Sequence, residues 1–286
     1  MKLTKDKKIL IVGLGLIGGS YATILSKKGY EVGAITLNQE DIDYAIENHI
    51  ISHASINVEK DYVSKFDVVI FALYPNEFVK WINKYHTYFK DNAIISDVTG
   101  VKSSIVYKIN ELIKDDNVEF VAAHPMAGKE VYGVRNASDT LFKNANYIVT
   151  PTNCSSKEVI ELVCNLGEVL EFANISILTP ETHDEMIAYL SQLTHCIAVS
   201  LMTCKDSTKL KDYTGDSFRD LTRIANINEN MWSELFLLNK EELLAQMDLF
   251  INEFNKLKST IENSDVDTMK ELMKLSTQRR SYFNKK

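Results

Sequence analysis

Lys8-Ile9-Leu10-Ile11-Val12-Gly13-Leu14-Gly15-Leu16-Ile17-Gly18-Gly19-Ser20 is the stretch whose reading decides the fold. Its apolar, β-branched first half reads as a buried parallel strand that stops at a glycine. Gly13-x-Gly15-x-x-Gly18 then opens a helical segment, Leu16 to Lys28. In such a unit the first glycine permits a tight turn, the second lets bare backbone approach a pyrophosphate, and the third lets helix pack on strand. The unpaired N–H groups and partial positive charge of a helix start favour phosphate. A lone glycine pattern is weak, and a purely structural turn is the alternative. This one follows a strand, opens a helix and sits near the N-terminus, so Gly13, Gly15, Leu16, Ile17 and Gly18 are expected to bind a dinucleotide.

Outward from this unit, strands and helices alternate. The second strand, 30–36, ends at Thr36-Leu37-Asn38, where an acidic residue commonly holds the adenine ribose. Thr36 and Asn38 are the candidates for that ribose. No Arg or Lys stands nearby to meet a 2′-phosphate, so NAD is favoured, with NADP left open. Further strands are predicted over 67–73, 93–98, 118–123, 146–150 and 175–178. Leu73 and Asp97 lie at carboxyl ends of strands, where open α/β sheets hold ligands. The pattern predicts a Rossmann-type doubly wound parallel sheet over residues 1–178. From Thr179-Pro180-Glu181 onward no strand pattern remains. Thr179 suits an N-cap and Pro180 a first helical position. Helices are predicted to about 203 and over 217–227, 231–263 and 266–283, an all-helical domain spanning 179–286. The 231–263 helix is apolar on much of its face and is expected to bury itself against a second subunit, giving a homodimer.

Composition bounds the rest. The 286 residues are 45% hydrophobic, enough for two cores. A net charge of -7 and a pI ≈ 5.5 argue against nucleic acid or an anionic membrane as partner. Cys154, Cys164, Cys196 and Cys204 show no C-x-x-C spacing and read as reduced, mostly buried thiols of a cytoplasmic protein. The lysines before the first apolar run imitate a signal peptide, but no small-residue cleavage site follows. No apolar run is expected to reach membrane-spanning length. No H-E-x-x-H or G-x-S-x-G is present, so neither a metal site nor serine chemistry is expected.

Chemistry is expected at His124, which leaves the 118–123 strand ahead of the stiffening Pro125. A neutral imidazole, with an ordinary pKa of about 6.5, can take a hydroxyl proton as hydride leaves the same carbon. His195 has Ser191 one turn earlier on the same face; read alone, it is a core histidine. Arg219 and Arg223 lie one turn apart, suited to bidentate carboxylate capture or, with Asp220, to a structural ion-pair helix. His49, His53, His86 and His183 have no companions and read as surface residues.

Taken in order, several elements resemble one family. These are Gly13 to Ser20, Asp97-Val98 leading to Val101-Lys102, His124-Pro125-Met126-Ala127-Gly128, Ser191-x-Leu193-x-His195, and Phe218-Arg219-Asp220-x-Thr222-Arg223-Ile224-Ala225. The chain resembles the prephenate dehydrogenases of tyrosine biosynthesis over nearly its whole length. The resemblance implies oxidative decarboxylation of prephenate to 4-hydroxyphenylpyruvate, with NAD taking the hydride. It makes His124 the base, and His195 and Arg223 the holders of substrate carboxylates. A net acidic protein needs local cations for a dianion, and His195, Arg223, Arg219 and Lys129 are the candidates, with Ser191 on the His195 face as a further substrate-binding candidate. It also implies a nucleotide-binding domain followed by a helical dimerisation domain. The family often carries Gly-Ser after the Asp-Val pair, the serine bonding the catalytic histidine; Thr99 is expected to do so here. No appended regulatory or mutase domain is expected, so feedback by tyrosine is expected to act at the active site. Arogenate dehydrogenase, another two-domain hydroxyacid or imine reductase, and a non-catalytic NAD sensor are the alternatives.

Overall fold

The structure is a computed structural model that describes residues 1–206 and 208–283. Its contacts divide the chain into two compact units, Met1–Asn239 and Lys240–Lys286. The first unit opens with β1 (Lys8–Val12), α1 (Leu16–Lys27), β2 (Glu31–Ile35), α2 (Gln39–Glu47), β3 (His53–Ser55) and α3 (Lys60–Val63). It continues with β4 (Val68–Phe71), α4 (Pro75–Tyr85), β5 (Ile94–Asp97), α5 (Ser103–Leu112) and β6 (Glu119–Phe120). The six strands pair in parallel in the order β3-β2-β1-β4-β5-β6. Leu10, Ile11, Val69 and Ile70 are fully buried, because helices cover both faces of the sheet and each face carries its own apolar cluster. The strand order reverses between β1 and β4, beside the glycine turn, which is where doubly wound sheets hold ligands.

Two of the three glycines, Gly13 and Gly18, are required by space. Gly13 has φ +97°, and a Cβ there would lie 2.4 Å from the Ala72 carbonyl oxygen. A Cβ on Gly18 would lie 2.0 Å from the Gly13 carbonyl oxygen, so α1 could not pack on β1. A Cβ on Gly15 would meet nothing within 4 Å.

The sheet departs from expectation at Val121. The predicted strand 118–123 is two strands, and the second, β7 (Ala122–Pro125), belongs to another sheet. The Val121 N–H still donates to Ile95 O at 3.0 Å. The next N–H on that side, of Ala123, goes instead to the Asp97 carboxylate at 3.1 Å, and the parallel ladder ends. β7 then pairs antiparallel with β8 (Asn146–Thr150). After α6 (Lys157–Val169), β9 (Asn174–Ile177) adds to β8 in parallel. His124 therefore sits within β7, opposite Ile148, and not beyond the tip of a parallel strand.

The helical part begins as predicted: Thr179 Oγ1 accepts the Thr182 N–H at 3.2 Å, and Pro180 opens α7 (Pro180–Ile187). A π-helical segment, Ala188–Gln192, joins α7 to α8 (Leu193–Thr203). This stretch of 24 residues is long and apolar enough, by length and composition alone, to cross a membrane, which corrects the expectation that no run is. A core helix passes the same test, and here the first turns bury His183 and Asp184 inside the unit. α9 (Asp216–Thr222) and α10 (Glu229–Leu238) complete the first unit. The helix expected over 231–263 is broken at Asn239, and the second unit holds α11 (Lys240–Glu262) and α12 (Val266–Ser281). The break has a cause: buried Asn239 turns its Nδ2 to Asp184 O at 2.9 Å and Gln192 Oε1 at 2.8 Å. The four cysteines are free, but Cys154 and Cys204 are exposed and the other two half-buried, which corrects the reading of buried thiols.

The glycine geometry separates packing from binding. Gly18→Ala should cost about 1–3 kcal/mol by overpacking, read as a lower urea midpoint, whereas Gly15→Ala should leave the midpoint unchanged.

Candidate active site

α1 starts at Gly15 with no side chain capping its first turn, so its leading N–H groups face open space above the glycine turn. That geometry suits a pyrophosphate. Leu73, at the exit of β4, lies against Gly13, its Cδ2 being 2.9 Å from where a Cβ would stand. At the end of β2, Asn38 uses its amide oxygen to cap α2, accepting Glu40 N–H at 2.9 Å. Half-buried Thr36 keeps a hydroxyl with no protein partner among the described residues. Asp97, expected to face the cofactor, does not: it is buried and both its oxygens are taken. They accept from Lys102 Nζ at 2.8 and 3.0 Å, from Ala123 N–H at 3.1 Å, and from the N–H and hydroxyl of Thr99.

Lys102 is likewise fully buried, and its remaining bonds go to Ala123 O at 2.7 Å and Thr99 Oγ1 at 3.2 Å. Burial pushes its pKa down while the Asp97 charge opposes the shift. Thr99, expected to meet His124, is spent on Asp97, Val101 O and Lys102. The partner of His124 is a residue read from sequence as a surface one. His183 Nε2 lies 2.9 Å from His124 Nδ1, and His183 itself is fully buried. Its Nδ1 reaches Asp184 Oδ1 at 2.7 Å. Asp184 also accepts N–H groups at the start of α5, from Lys102 at 2.8 Å and Ser103 at 2.7 Å. His53, bonded to Tyr62 at 3.0 Å, and His86, paired with Asp116 at 2.6 Å, are also not companionless.

Burial holds the pKa of His124 well below its ordinary value, and protonation beside His183 and the Lys102 ammonium is disfavoured further. Burial lowers that of His183 too, against the pull of Asp184. For Asp184 burial works upward, but the His183 imidazole and the two N–H groups outweigh it and keep the carboxyl low. Both imidazoles are therefore neutral near pH 7.

α10 packs beside this group. Its Asn228 donates to Tyr74 Oη at 3.2 Å, and its Glu234 accepts Asn76 N–H at 2.6 Å, which docks the helix over the exit of β4. Trp232 stacks on His195 with centroids 3.7 Å apart. Leu235, one turn on, approaches Gly100, and so does the His124 ring, 3.5 and 3.9 Å from a Cβ built there. His195 donates Nδ1–H to the Ser191 carbonyl at 2.8 Å, so Ser191 acts here through its backbone. Burial lowers the His195 pKa; Ser191 and Glu130 oppose the shift and Arg223 adds to it. Arg223 is exposed and pairs with Glu130, 93 positions away, and not with Asp220. Arg219 pairs with Asp216 at 2.8 Å, and Lys129 is exposed beside Glu130. Sequence reasoning named Lys102 within a motif but gave it no role, and it missed His183, Asp184, Glu130 and Trp232. Only His183 left a signal, standing four residues before Ile187 on the apolar stripe of its helix.

Residues 21–176 match the family model described as prephenate dehydrogenase, nucleotide-binding domain, and residues 179–275 match the corresponding dimerization domain. A prephenate dehydrogenase of Bacillus subtilis is 30% identical, over 94% of this chain and 74% of its own. A cyclohexadienyl dehydrogenase of Zymomonas mobilis is 27% identical, over 97% and 96%. The crystal structure of prephenate dehydrogenase from A. aeolicus in complex with hydroxyphenyl propionate and NAD+ superposes with a TM-score of 0.89 at 28% identity, covering 99% of this chain and 100% of that one.

The depressed histidines make stability pH-dependent. Between their folded pKa values and the ordinary value near 6.5, the unfolded chain binds more protons, so stability rises with pH. Unfolding measured across this range should show stability falling as pH drops below about 6.5, by up to about 1.4 kcal/mol per pH unit for buried His183. His183→Gln should flatten that slope, while the Asp184 contribution is lost only below the ordinary carboxylate range.

Proposed function

The chain belongs to the prephenate dehydrogenase family of NAD-dependent oxidoreductases, and from that premise we propose that it converts prephenate to 4-hydroxyphenylpyruvate and carbon dioxide with NAD. The observation that carries this reading is His124. Its Nδ1 is tied to His183, its Nε2 has no protein partner among the described residues, and its depressed pKa keeps it a base. Gly13, Gly15, Leu16, Ile17, Gly18, Leu73 and Thr36 would hold the dinucleotide, whose nicotinamide supplies the hydride acceptor when bound. As hydride leaves the ring carbon, His124 takes the proton of the hydroxyl on it. Loss of carbon dioxide leaves its electron pair to aromatise the ring, and the ring oxygen takes the proton back. The protein contributes proximity, a base and charges for a dianion. Arg223, with Lys129 and His195, would clasp the carboxylates, Arg223 exchanging Glu130 for substrate.

One observation favours arogenate as a second reading. With Nδ1–H committed to the Ser191 carbonyl, a neutral His195 offers only an acceptor at Nε2. That suits the ammonium of arogenate, whereas a keto acid requires His195 to gain a proton as the dianion binds. The same reading assigns residues 1–178 to the nucleotide and 179–286 to substrate and dimerisation, supported by the two family matches. The exposed Leu249, Phe250, Ile251 and Phe254 of α11 support a homodimer, and free thiols support the cytoplasm.

The test is a paired assay of prephenate and arogenate with NAD and NADP, followed by the absorbance of the reduced nicotinamide. Prephenate with NAD should give the highest kcat/KM; preference for arogenate selects the second reading, and no turnover with NAD still bound points to a sensor. His124→Asn should lower turnover by about 10²- to 10⁴-fold with NAD affinity unchanged. Arg223→Ala should raise KM for prephenate far more than for NAD; equal rises would make Arg223 structural.

A further inference from the structure

Three groups in a row lie within hydrogen-bond reach: Asp184 Oδ1 to His183 Nδ1 at 2.7 Å, and His183 Nε2 to His124 Nδ1 at 2.9 Å. We propose that His183 and Asp184 are positioning residues that fix His124 as the Nδ1–H tautomer and so place its lone pair on Nε2. The proposal rests on His124 being the base of the reaction proposed above.

The direction of the chain follows from what each atom can do. Asp184 already accepts the Lys102 and Ser103 N–H groups at the start of α5, and an ionised carboxylate only accepts. His183 must then donate from Nδ1, which in a neutral ring makes Nε2 an acceptor. His124 must donate from Nδ1, which leaves Nε2 free to take a proton. When Nε2 takes it, the Nδ1–H bond stays in place, so the new positive charge forms at the end of a chain terminated by a carboxylate, and no ring has to turn. The other charged groups around the pair are the Asp97 carboxylate and the Lys102 ammonium, and these are bonded to each other at 2.8 Å. Neither has a hydrogen bond to either imidazole, so they add a background field without altering the donor–acceptor order.

Asp184→Asn would invert the order, because an amide can donate to His183 Nδ1. His183 would then donate from Nε2 and His124 would hold its proton on Nε2, the atom required as base. A serine protease whose orienting aspartate is made an asparagine loses about 10⁴ in kcat for this reason. His183→Leu removes the acceptor, and His183→Gln restores one through its amide oxygen.

The experiment combines kinetics with nitrogen-15 spectra of histidine-labelled enzyme at neutral pH, His124 being assigned by its loss in His124→Asn. The wild type should show a protonated Nδ1 and an unprotonated Nε2 at His124. His183→Leu should show a mixture of tautomers, with kcat down about 10²-fold or more and KM for NAD within about twofold; His183→Gln should recover most of the kcat. A wild-type His124 protonated on Nε2, or a His183→Leu enzyme with unchanged tautomer and kcat, would overturn the proposal. If the wild type turns over neither prephenate nor arogenate, the functional reading fails, while the spectra still decide the tautomer.

Discussion

The carboxylate of Asp184 closes on the first two N–H groups of a helix that belongs to the other half of its unit. Lys102 and Ser103 donate to it at the start of α5, where unpaired donors and the helix field both favour an anion. A buried carboxylate is costly unless its lone pairs are met, and here three donors meet it. The same residue's backbone carbonyl accepts from Asn239, at the point where α10 ends. One residue thereby ties α7 to the parallel sheet's α5 and to the end of the helix that carries Trp232. The placement of His183 under His124 follows, because His183 is its neighbour in the chain.

The buried Asp97–Lys102 pair is the second constraint. Taking two charges out of water is not repaid by their attraction alone, and such pairs contribute little net stability. Their value here is positional. Asp97 takes the Ala123 N–H and Lys102 takes the Ala123 carbonyl, so the residue before His124 is held on both sides. The polar end of β5 thus replaces the next rung of the sheet, and β7 leaves to pair elsewhere. The electrostatic cost is bound up with the orientation of the strand that bears His124.

Features set by local rules were legible in the sequence. The tight turn at Gly13 and the close helix packing at Gly18 follow from backbone space within one turn, and Thr179-Pro180 from the needs of a helix start; the structure shows these three features. His124 was legible as a polar residue leaving an apolar run. Features set by distant partners were not. Nothing near Val121 announces that a carboxylate at position 97 will end the ladder. Arg223 had Asp220 at hand in sequence but meets Glu130, brought to it by the loop after β7. Thr99 was assigned by analogy to a serine one position later, and its hydroxyl turns inward because Asp97 and Lys102 are nearer. His183 was misread because isolated polar residues on amphipathic helices are usually solvated, although its spacing from Ile187 placed it on the inward stripe.

The π-helical segment at Ala188–Gln192 separates the two halves of the helix that supplies both His183 and His195. A π turn accommodates a residue beyond the α-helical count, and each residue of an α-helix advances the face by about 100°. The segment therefore acts as a phase shifter: it lets the His183 half keep its inward register while the downstream half turns its imidazole toward the indole of Trp232. A helical wheel drawn without interruption through 180–203 misassigns the faces beyond Gln192. By the same geometry, shortening the segment by one residue would spare the backbone bonding and rotate every side chain after it, parting the two imidazole-bearing faces.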